Sequence, residues 1–377
     1  MKNFRSAHEE GVNTNKSTNK ENGKNYDMIV FCHLRWQFVY QRPQHIISRL
    51  AKDLKVLFVE EPIGFDPEEE NTAILTEVNQ QLHVLQPKVR TIKDISNVLS
   101  KYVSNSQVSM GWFYSAAFSE LLQELNFETI IYDCMDELSL FKGAPQELID
   151  QEKFLISNAD IVFTGGKSLY ESKKKMHGNA YCFPSSVDES HFAQALNGIE
   201  IPMDIAHIKA PVVGYYGVID ERIDLELLHE TAEKSPEVSF VMIGPLAKIG
   251  DSDLPRLTNI HYLGMKTYDE LPAYLKAFDI AMMPFALNDS TKFISPTKTL
   301  EYMAAGKPII STKIKDVVRD YADCVALIEN ADDFCEAISY VSLGNNSNLL
   351  SYKEILANTS WDATAQKMSA IIKQKAL

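Results

Sequence analysis

The chain alternates short apolar runs with amphipathic segments from Asp27 to its end. Strands buried on both faces of a parallel sheet read as continuous apolar runs, and the helices that connect them show one apolar face. Pro43–Leu54 is the clearest such helix, with a proline in its first turn. The pattern predicts an α/β fold with strands in the first half at Met28–Cys32, Val56–Glu60, Leu82–Leu85, Val108–Trp112, Thr129–Tyr132, Ile161–Thr164 and Tyr181–Phe183.

The periodicity weakens through Ser185–Pro211, and a second series of apolar runs begins at Val212. Two series predict two Rossmann-like, doubly wound parallel-sheet domains that face each other across a cleft, with a C-terminal helix that can cross back. We place a disordered tail at residues 1–25, the first domain at 26–190, a linker at 191–210, the second domain at 211–358 and the last helix at 359–377. The strands of the second series are predicted at Val212–Tyr216, Ser239–Ile243, Ile260–Leu263, Ile280–Pro284, Pro308–Ser311 and Cys324–Ile328.

The net charge and the cysteine content exclude several classes of function. The 377 residues include 37 Lys and Arg against 51 Asp and Glu, a net charge of −14. A surface this acidic repels polyanions, which argues against nucleic-acid binding and requires that an anionic ligand be caged by local positive charge. The five cysteines form no C-x-x-C pair or zinc-spaced group, and no P-loop is present. We therefore expect a cytoplasmic protein that needs no metal and no cofactor.

The segment Ser295–Pro308 carries the most chemical information. Ser295 suits a helix N-cap, and Pro296 suits the first helical position. The free N–H groups and positive dipole end of such a helix can bind phosphate, and Lys298 adds a charge. Glu301 lies one turn deeper, where a carboxylate can accept hydrogen bonds from ribose hydroxyls. An alternative stays open, in which Lys298 and Glu301 form an ordinary surface ion pair.

The order Pro-x-Lys-x-x-Glu-Tyr-Met-Ala-x-Gly-Lys-Pro in this segment resembles the nucleotide-sugar-binding segment of GT-B-fold glycosyltransferases, close to family 4 (group 1), which includes bacterial surface-polysaccharide sugar transferases. The resemblance implies the GT-B fold and transfer of a sugar from a nucleoside diphosphate sugar. It extends over most of the chain through segments that lie in the family's order, namely Arg42–His45, Tyr132–Asp136, Pro184–Phe192, Gly214–Asp220, Met242–Pro245 and Ile260–Phe285.

The resemblance also implies a set of donor-binding residues in the second domain. The chain departs from the family at Phe293, where many members have a glutamate that contacts the donor sugar, and at Val218, where an arginine is often found. Asp289 and Lys292 are, with Arg222, candidates to replace them. The implied donor-binding residues are Ser295, Pro296, Thr297 and Lys298 for the diphosphate, Glu301 for the ribose, Gly244 and Pro245 for the base, and Gly217 and Arg222 on the loop that opens the domain.

The loop after the first strand is the candidate acceptor side. It offers His33, Arg35, Trp36 and Arg42, whose ring faces and forked donors suit a sugar or a phosphate. Because ligands bind at the carboxyl ends of strands in such sheets, this loop lies at the edge of the predicted cleft. An alternative stays open, in which the loop is a packed lid with solvated charges.

Two aspartates, Asp133 and Asp136, end the strand Thr129–Tyr132 at the same edge. Sugar transfer needs a group near the anomeric carbon that deprotonates the acceptor or stabilises an oxocarbenium-like transition state. Asp136 matches the family's position, although Met135 stands where many relatives have a histidine. We predict Asp136 as the catalytic residue and Asp133 as the second candidate.

The predicted function is transfer of a hexose from a nucleoside diphosphate sugar, expected to be UDP-linked, to a hydroxyl of a bacterial surface glycan or a lipid-linked acceptor. Two alternatives stay open: a sugar-nucleotide 2-epimerase of the same fold, and a non-catalytic nucleotide-sugar-binding partner in polysaccharide assembly. A lipid-linked acceptor would require peripheral contact with the inner face of the cell membrane, for which the basic residues Lys167 and Lys173–Lys175 are candidates.

Overall fold

The computed structural model describes residues 23–64, 66, 70–105, 107–141, 143–344 and 349–375. Residues 1–22 of the predicted tail lie outside these described residues. The end of the predicted tail belongs to the first domain, because Lys24 pairs with Val103 in an isolated β-bridge.

The first domain is built on one twisted sheet. Within the described residues the sheet has eight strands in the order β3-β4-β2-β1-β5-β6-β7-β8, parallel except for β3, which runs antiparallel to β4. Its strands are β1 Met28–Cys32, β2 Val56–Glu60, β3 Thr72–Asn79, β4 Leu82–Lys88, β5 Val108–Phe113, β6 Phe127–Cys134, β7 Ile161–Thr164 and β8 Ala180–Cys182. The helices of this domain are α1 Arg42–Leu50, α2 Ile95–Leu99, α3 Glu147–Asn158 and α4 Lys167–Lys173, with 3-10 helices at Ala116–Gln123 and Leu138–Leu140.

The connection and the second domain follow the same plan. Within the described residues a parallel sheet of six strands has the order β11-β10-β9-β12-β13-β14. The connection holds α5 Glu189–Phe192, the 3-10 helix Ala193–Leu196 and α6 Met203–Ala206. The strands are β9 Val212–Tyr216, β10 Ser239–Ile243, β11 Ile260–Tyr262, β12 Ile280–Met283, β13 Ile309–Thr312 and β14 Ala326–Ile328. The helices are α7 Leu225–Lys234, α8 Leu271–Ala277, α9 Thr297–Ala304, α10 Lys315–Tyr321, α11 Ala331–Ser342, α12 Leu349–Leu356 and α13 Trp361–Lys375, with 3-10 helices at Asp251–Asp253, Tyr268–Glu270 and Asp289–Thr291.

Most of the predicted apolar runs form the core, but the edge strand β8 is only partly buried. Strand β1 is fully buried and sends Ile29 and Phe31 to one face of the first sheet and Val30 to the other, where separate apolar clusters pack. Strand β3, whose residues are mostly exposed, is absent from the predicted strands. An edge strand of this kind has no continuous apolar run, and so the sequence pattern does not predict it.

The C-terminal helix α13 crosses back to the first domain. Trp361 and Met368 are buried in the apolar cluster that packs on the α1 face of the first sheet. The Trp361 ring stacks on the His45 ring of α1 at 4.7 Å between ring centres. The last helix therefore completes the core of the first domain, although it follows the second domain in the chain.

A second connection joins α4 of the first domain to α10 of the second. The Asp316 carboxylate is buried and accepts hydrogen bonds from the Ser168 backbone N–H at 3.2 Å and from its hydroxyl. Glu171 pairs with Arg319 at 3.0 Å. A side chain at Gly166 would lie 2.9 Å from an Asp316 carboxylate oxygen, so the close approach of the two domains requires a glycine there.

This contact involves part of the basic stretch predicted to meet a membrane. Lys167 pairs with Asp320 of the second domain. Lys173 is buried and pairs with Glu137 at 2.8 Å and Glu152 at 2.7 Å. Two of the four predicted lysines are thus paired with carboxylates, while Lys174 and Lys175 are exposed.

We expect Trp361→Ala to lower the free energy of unfolding by about 3–5 kcal/mol, the cost of removing a buried tryptophan. Urea titration of the full chain measures this value. Gln366→Ala, on the exposed side of the same helix, is the control and should leave the midpoint within experimental error. An equal midpoint for Trp361→Ala and wild type would mean that α13 does not complete the first core.

Candidate active site

A cavity of about 150 Å³ lies between the two domains. Its lining includes residues that directly follow β6, β7 and β9, and Phe285 two positions after β12, so it opens at the carboxyl ends of strands from both sheets. This is where doubly wound sheets bind ligands. Among the described residues, the charged side chains that line it are Arg42, Asp136, Arg222, Lys298 and Glu301.

Helix α9 points its N-terminal end at this cavity. Thr297 is its first residue and Pro296 its N-cap, so the predicted N-cap at Ser295 is wrong by one position. Ser295 instead accepts a hydrogen bond at its backbone oxygen from the Ser185 hydroxyl, at 2.6 Å. Ser295, Pro296 and Thr297 line the cavity together with Lys298. The first N–H groups of a helix have no partner within the helix, so this end can receive an anion.

The ammonium group of Lys298 has no ion pair and no hydrogen bond within the described part of the chain. Its nitrogen lies 5.8 Å from the centre of the Tyr215 ring. Burial is the largest effect on this group and lowers the pKa of the lysine. A cation that is partly removed from water and has no partner among the described residues is costly, which favours an anionic ligand at this position.

Glycines make room for this lysine. Gly217 has φ 140°, and a Cβ atom there would lie 2.3 Å from Lys298 Cε. Gly244 has φ 147°, and its Cβ would lie 1.9 Å from the Gly217 carbonyl oxygen. Both positions therefore exclude a side chain. Gly217 lines the cavity, whereas Gly244 supports it from behind.

Glu301 lies one turn into α9 and is 7% exposed. The Tyr216 hydroxyl donates a hydrogen bond to Glu301 Oε2 at 2.5 Å. Burial raises the pKa of the Glu301 carboxyl, against the attraction of Lys298. The alternative of an exposed Lys298–Glu301 ion pair is wrong, because Glu301 is buried and no such pair occurs among the described residues.

Asp136 lines the cavity from the first domain. Among the described residues its carboxylate has no hydrogen-bond partner. Burial is the largest effect on it and raises the pKa of the carboxyl, while Arg222 lowers it. The arrangement leaves the carboxylate available for a ligand that enters between the domains.

Asp133, the second predicted catalytic residue, does not line the cavity. It is fully buried, and the Arg42 guanidinium donates to it through Nη2 at 2.8 Å and Nε at 3.1 Å. Arg42 also donates to the Phe183 carbonyl at 2.7 Å. The structure therefore corrects the assignment of Asp133, which holds Arg42 in place instead of meeting a substrate.

Residues 210–342 match the family described as "Glycosyl transferases group 1". The putative teichuronic acid biosynthesis glycosyltransferase TuaH of Bacillus subtilis (strain 168) is 26% identical over 267 residues, and the alignment covers 66% of this chain and 66% of that protein. Sucrose-phosphate synthase from Thermosynechococcus elongatus has a TM-score of 0.70 at 14% identity, over 92% of this chain and 98% of that one. Anabaena HepE, solved in complex with UDP and glucose, has a TM-score of 0.64 at 11% identity, over 93% of this chain and 100% of that one.

The second domain thus matches the group 1 glycosyltransferase family. The family match covers the second domain from β9 to α11 and includes Lys298 and Glu301. The structural neighbours have the GT-B fold, which confirms the predicted two-domain architecture. The prediction of a glycosyltransferase is thereby confirmed at the level of the family.

Of the other residues predicted to bind the donor, Arg222 lines the cavity, whereas Gly244 and Pro245 do not. Arg222 lines the cavity and donates to Asp220 through Nη2 at 2.7 Å, and its guanidinium carbon lies 5.5 Å from the centre of the Phe141 ring. Pro245 does not line the cavity, and its carbonyl accepts a hydrogen bond from the Ile219 N–H at 3.0 Å. Gly244 and Pro245 thus lie behind Gly217, outside the cavity, and contact the loop that follows β9.

The predicted acceptor loop turns mostly away from the cavity. Arg35 pairs with Glu60 at 3.2 Å and donates to backbone carbonyls. Trp36 packs edge-on against Phe58, with ring centres 5.0 Å apart. None of Arg35, Trp36 and His33 lines the cavity. Arg35 and Trp36 therefore pack against the first domain, as the alternative of a packed lid expects. Of the four predicted acceptor residues, Arg42 lines the cavity.

His33 is held in a neutral form by its surroundings. Its Nδ1 atom is buried without a hydrogen-bond partner among the described residues. Burial, with a smaller contribution from Lys248, lowers the pKa of the imidazole to about 4. A neutral imidazole outside the cavity does not supply positive charge to a substrate.

Several lining residues of the glycosyltransferase carry no strong sequence signal. Tyr216 ends β9, and its position at a strand end could have suggested it. Tyr40 and Tyr268 come from different domains, and their rings meet across the cleft at 4.6 Å. Ser185 follows the first domain and accepts a hydrogen bond from the Thr297 hydroxyl at 3.2 Å. Such contacts depend on how the domains meet, which local sequence does not encode.

The buried Glu301 should make stability depend on pH. Because its pKa is raised in the folded state, the folded protein holds this proton to higher pH, and stability falls as pH rises above about 4.5, the unfolded value. We expect the difference in Tm between Glu301→Gln and wild type to become more positive from pH 4 to pH 7.

Thermal unfolding at several pH values tests this expectation. Glu230→Gln, at an exposed position of α7, is the matched control for loss of one carboxylate. A difference in Tm for Glu301→Gln that falls toward neutral pH would contradict the dominance of burial at this site.

Proposed function

We propose that this glycosyltransferase moves a hexose from a UDP-sugar to a hydroxyl of a bacterial surface glycan or its lipid-linked precursor. The observation that carries the proposal is Lys298, an ammonium without a partner in the described part of the chain. It lies at the start of α9, with Glu301 one turn deeper in the same cavity. The names of the relatives support the donor and the pathway class, since HepE was solved with UDP and glucose and TuaH is assigned to teichuronic acid biosynthesis.

The donor would lie along the second domain. Lys298 and the N–H groups at the start of α9 would meet the diphosphate, and their positive charge would stabilise the negative charge that develops on the leaving group. Glu301 would accept hydrogen bonds from the ribose hydroxyls, because Tyr216 donates to one of its oxygens, Oε2, and leaves the other available.

We propose that transfer needs no metal ion. The positive charge at the diphosphate would come from Lys298 and the helix, with Arg222 at the cavity wall as a further cation. Activity should therefore persist in excess EDTA. Loss of activity in EDTA that returns with added Mg²⁺ would contradict this part of the proposal.

Asp136 would act at the anomeric centre from the opposite wall. A carboxylate without a partner can take a proton from the acceptor hydroxyl or stabilise positive charge on the sugar ring. A pKa raised by burial brings such a group nearer to the working pH, where a general base is most effective.

The acceptor group that enters the cavity would be an uncharged hydroxyl. In the described part of the first domain, Arg42 is paired with Asp133 and Arg35 with Glu60, so neither arginine is available for an acceptor phosphate. Any phosphate of a lipid-linked acceptor would then lie outside the cavity, toward the membrane surface. Among the described residues no helix has the length and hydropathy to cross a bilayer. We propose that such contact is peripheral, and vesicle sedimentation measures it.

We expect Lys298→Ala and Glu301→Ala to weaken UDP binding at least tenfold, because each removes a proposed donor contact. Asp136→Asn should keep UDP binding within about threefold and lower the rate of acceptor-dependent UDP release at least 100-fold, the usual scale of a catalytic acid or base. Calorimetry with UDP and a coupled UDP-release assay measure the two quantities.

Lys313→Ala, an exposed lysine of the same domain, is the control and should match wild type in both measurements. Wild-type activity in the Lys298 and Glu301 variants would contradict the proposed donor site. Conversion of the UDP-sugar without any acceptor would instead indicate an epimerase, and UDP binding without turnover a non-catalytic binding partner.

A further inference from the structure

The loop that carries Asp136 is fixed at the residues around it, while Asp136 itself is left without a partner in the described part of the chain. On its N-terminal side, Asp133 is held by Arg42 at 2.8 Å. On its C-terminal side, Glu137 is held by Lys173 at 2.8 Å. Two buried ion pairs therefore bracket the residue that faces the cavity.

The Lys173 pair lies deep in the first domain. The lysine side chain is 2% exposed, and its ammonium contacts Glu137 and Glu152, each 12% exposed. Glu152 also accepts a hydrogen bond from the Tyr132 hydroxyl at 2.7 Å. One cation thus joins α4, α3 and the loop after β6, which are brought together only by the fold.

The neighbouring backbone leaves little freedom. The Gly165 N–H donates to the Cys134 carbonyl at 2.8 Å, and a Cβ at Gly165 would lie 2.9 Å from the Met135 backbone. Beyond Glu137, the ring of Phe141 lies 4.7 Å from the Lys248 ammonium of the second domain. The loop is therefore held at positions 134, 135, 137 and 141.

We propose that Lys173 and Glu137 are positioning residues for sugar transfer, which fix the Asp136 carboxylate at the cavity through their buried ion pair. The proposal rests on the proposed function for the role of Asp136, but the ion pair itself is independent of it. Buried ion pairs add little net stability compared with apolar replacements. This pair instead gives the loop one conformation.

Glu137 and Glu152 provide a matched pair of variants. Glu137→Ala breaks the link between Lys173 and the loop and leaves Lys173 paired with Glu152 at 2.7 Å. Glu152→Ala removes the same charge from the same lysine and leaves the link to the loop intact. Each variant retains one buried carboxylate for the lysine, so neither leaves an unpaired buried charge.

We expect amide hydrogen exchange in residues 135–140 to be at least tenfold faster in Glu137→Ala than in wild type, and within threefold of wild type in Glu152→Ala. With the UDP-sugar and acceptor that wild type turns over, kcat should fall at least tenfold in Glu137→Ala, while KM for the donor stays within twofold. Glu137→Gln, which can still accept a hydrogen bond from Lys173, should recover most of the rate.

Equal exchange and equal kcat in the two alanine variants would overturn the proposal. A parallel rise in donor KM and fall in kcat would overturn it as well, because general damage to the fold produces that result. If wild type releases no UDP with any acceptor, the proposed function fails, and exchange in residues 135–140 still decides whether Glu137 fixes the loop.

Discussion

The architecture of the site depends on one close approach, in which the Lys298 side chain passes over the backbone of Gly217. The lysine occupies space that any Cβ at Gly217 would fill. Gly244 is required in turn, because its own Cβ would collide with the Gly217 carbonyl. A cation is thereby placed at the start of a helix, where helix dipole and side-chain charge act on the same ligand. In the proposed function, this local arrangement would let a chain with a net charge of −14 hold an anion.

The two domains have separate tasks around this cation. The second domain supplies Lys298, Glu301 and the helix end, and the first supplies Asp136. Their relative placement rests on contacts outside the cavity, such as the buried Asp316–Ser168 hydrogen bonds and the packing of α13 on the first domain. A reaction between a donor held by one domain and an acceptor group held by the other requires such fixed alignment.

Much of the fold and part of the candidate site could be predicted from the sequence, because the strands follow from hydrophobic periodicity and some site residues follow directly after strands. Buried parallel strands produce apolar runs, and the residues that follow them lie at the edge of the sheet where ligands bind, which is how Asp136 is found. Lys298 is found from the helix-start residues Ser295 and Pro296 and from the family motif. The sequence does not distinguish Asp133 from Asp136, since both lie at the end of one strand and their roles depend on Arg42, 91 residues away in the chain. Lys173 likewise looks like part of an exposed basic run, because its partners Glu137 and Glu152 come from other elements.

The central claim is that a nucleoside diphosphate binds with its phosphates at the start of α9. A crystal structure of the protein with UDP tests it most directly. We expect phosphate oxygens within about 3 Å of Lys298 Nζ and of the first N–H groups of the helix, with the ribose hydroxyls at Glu301. UDP bound elsewhere, or bound here with its phosphates turned away from Lys298, would contradict the account.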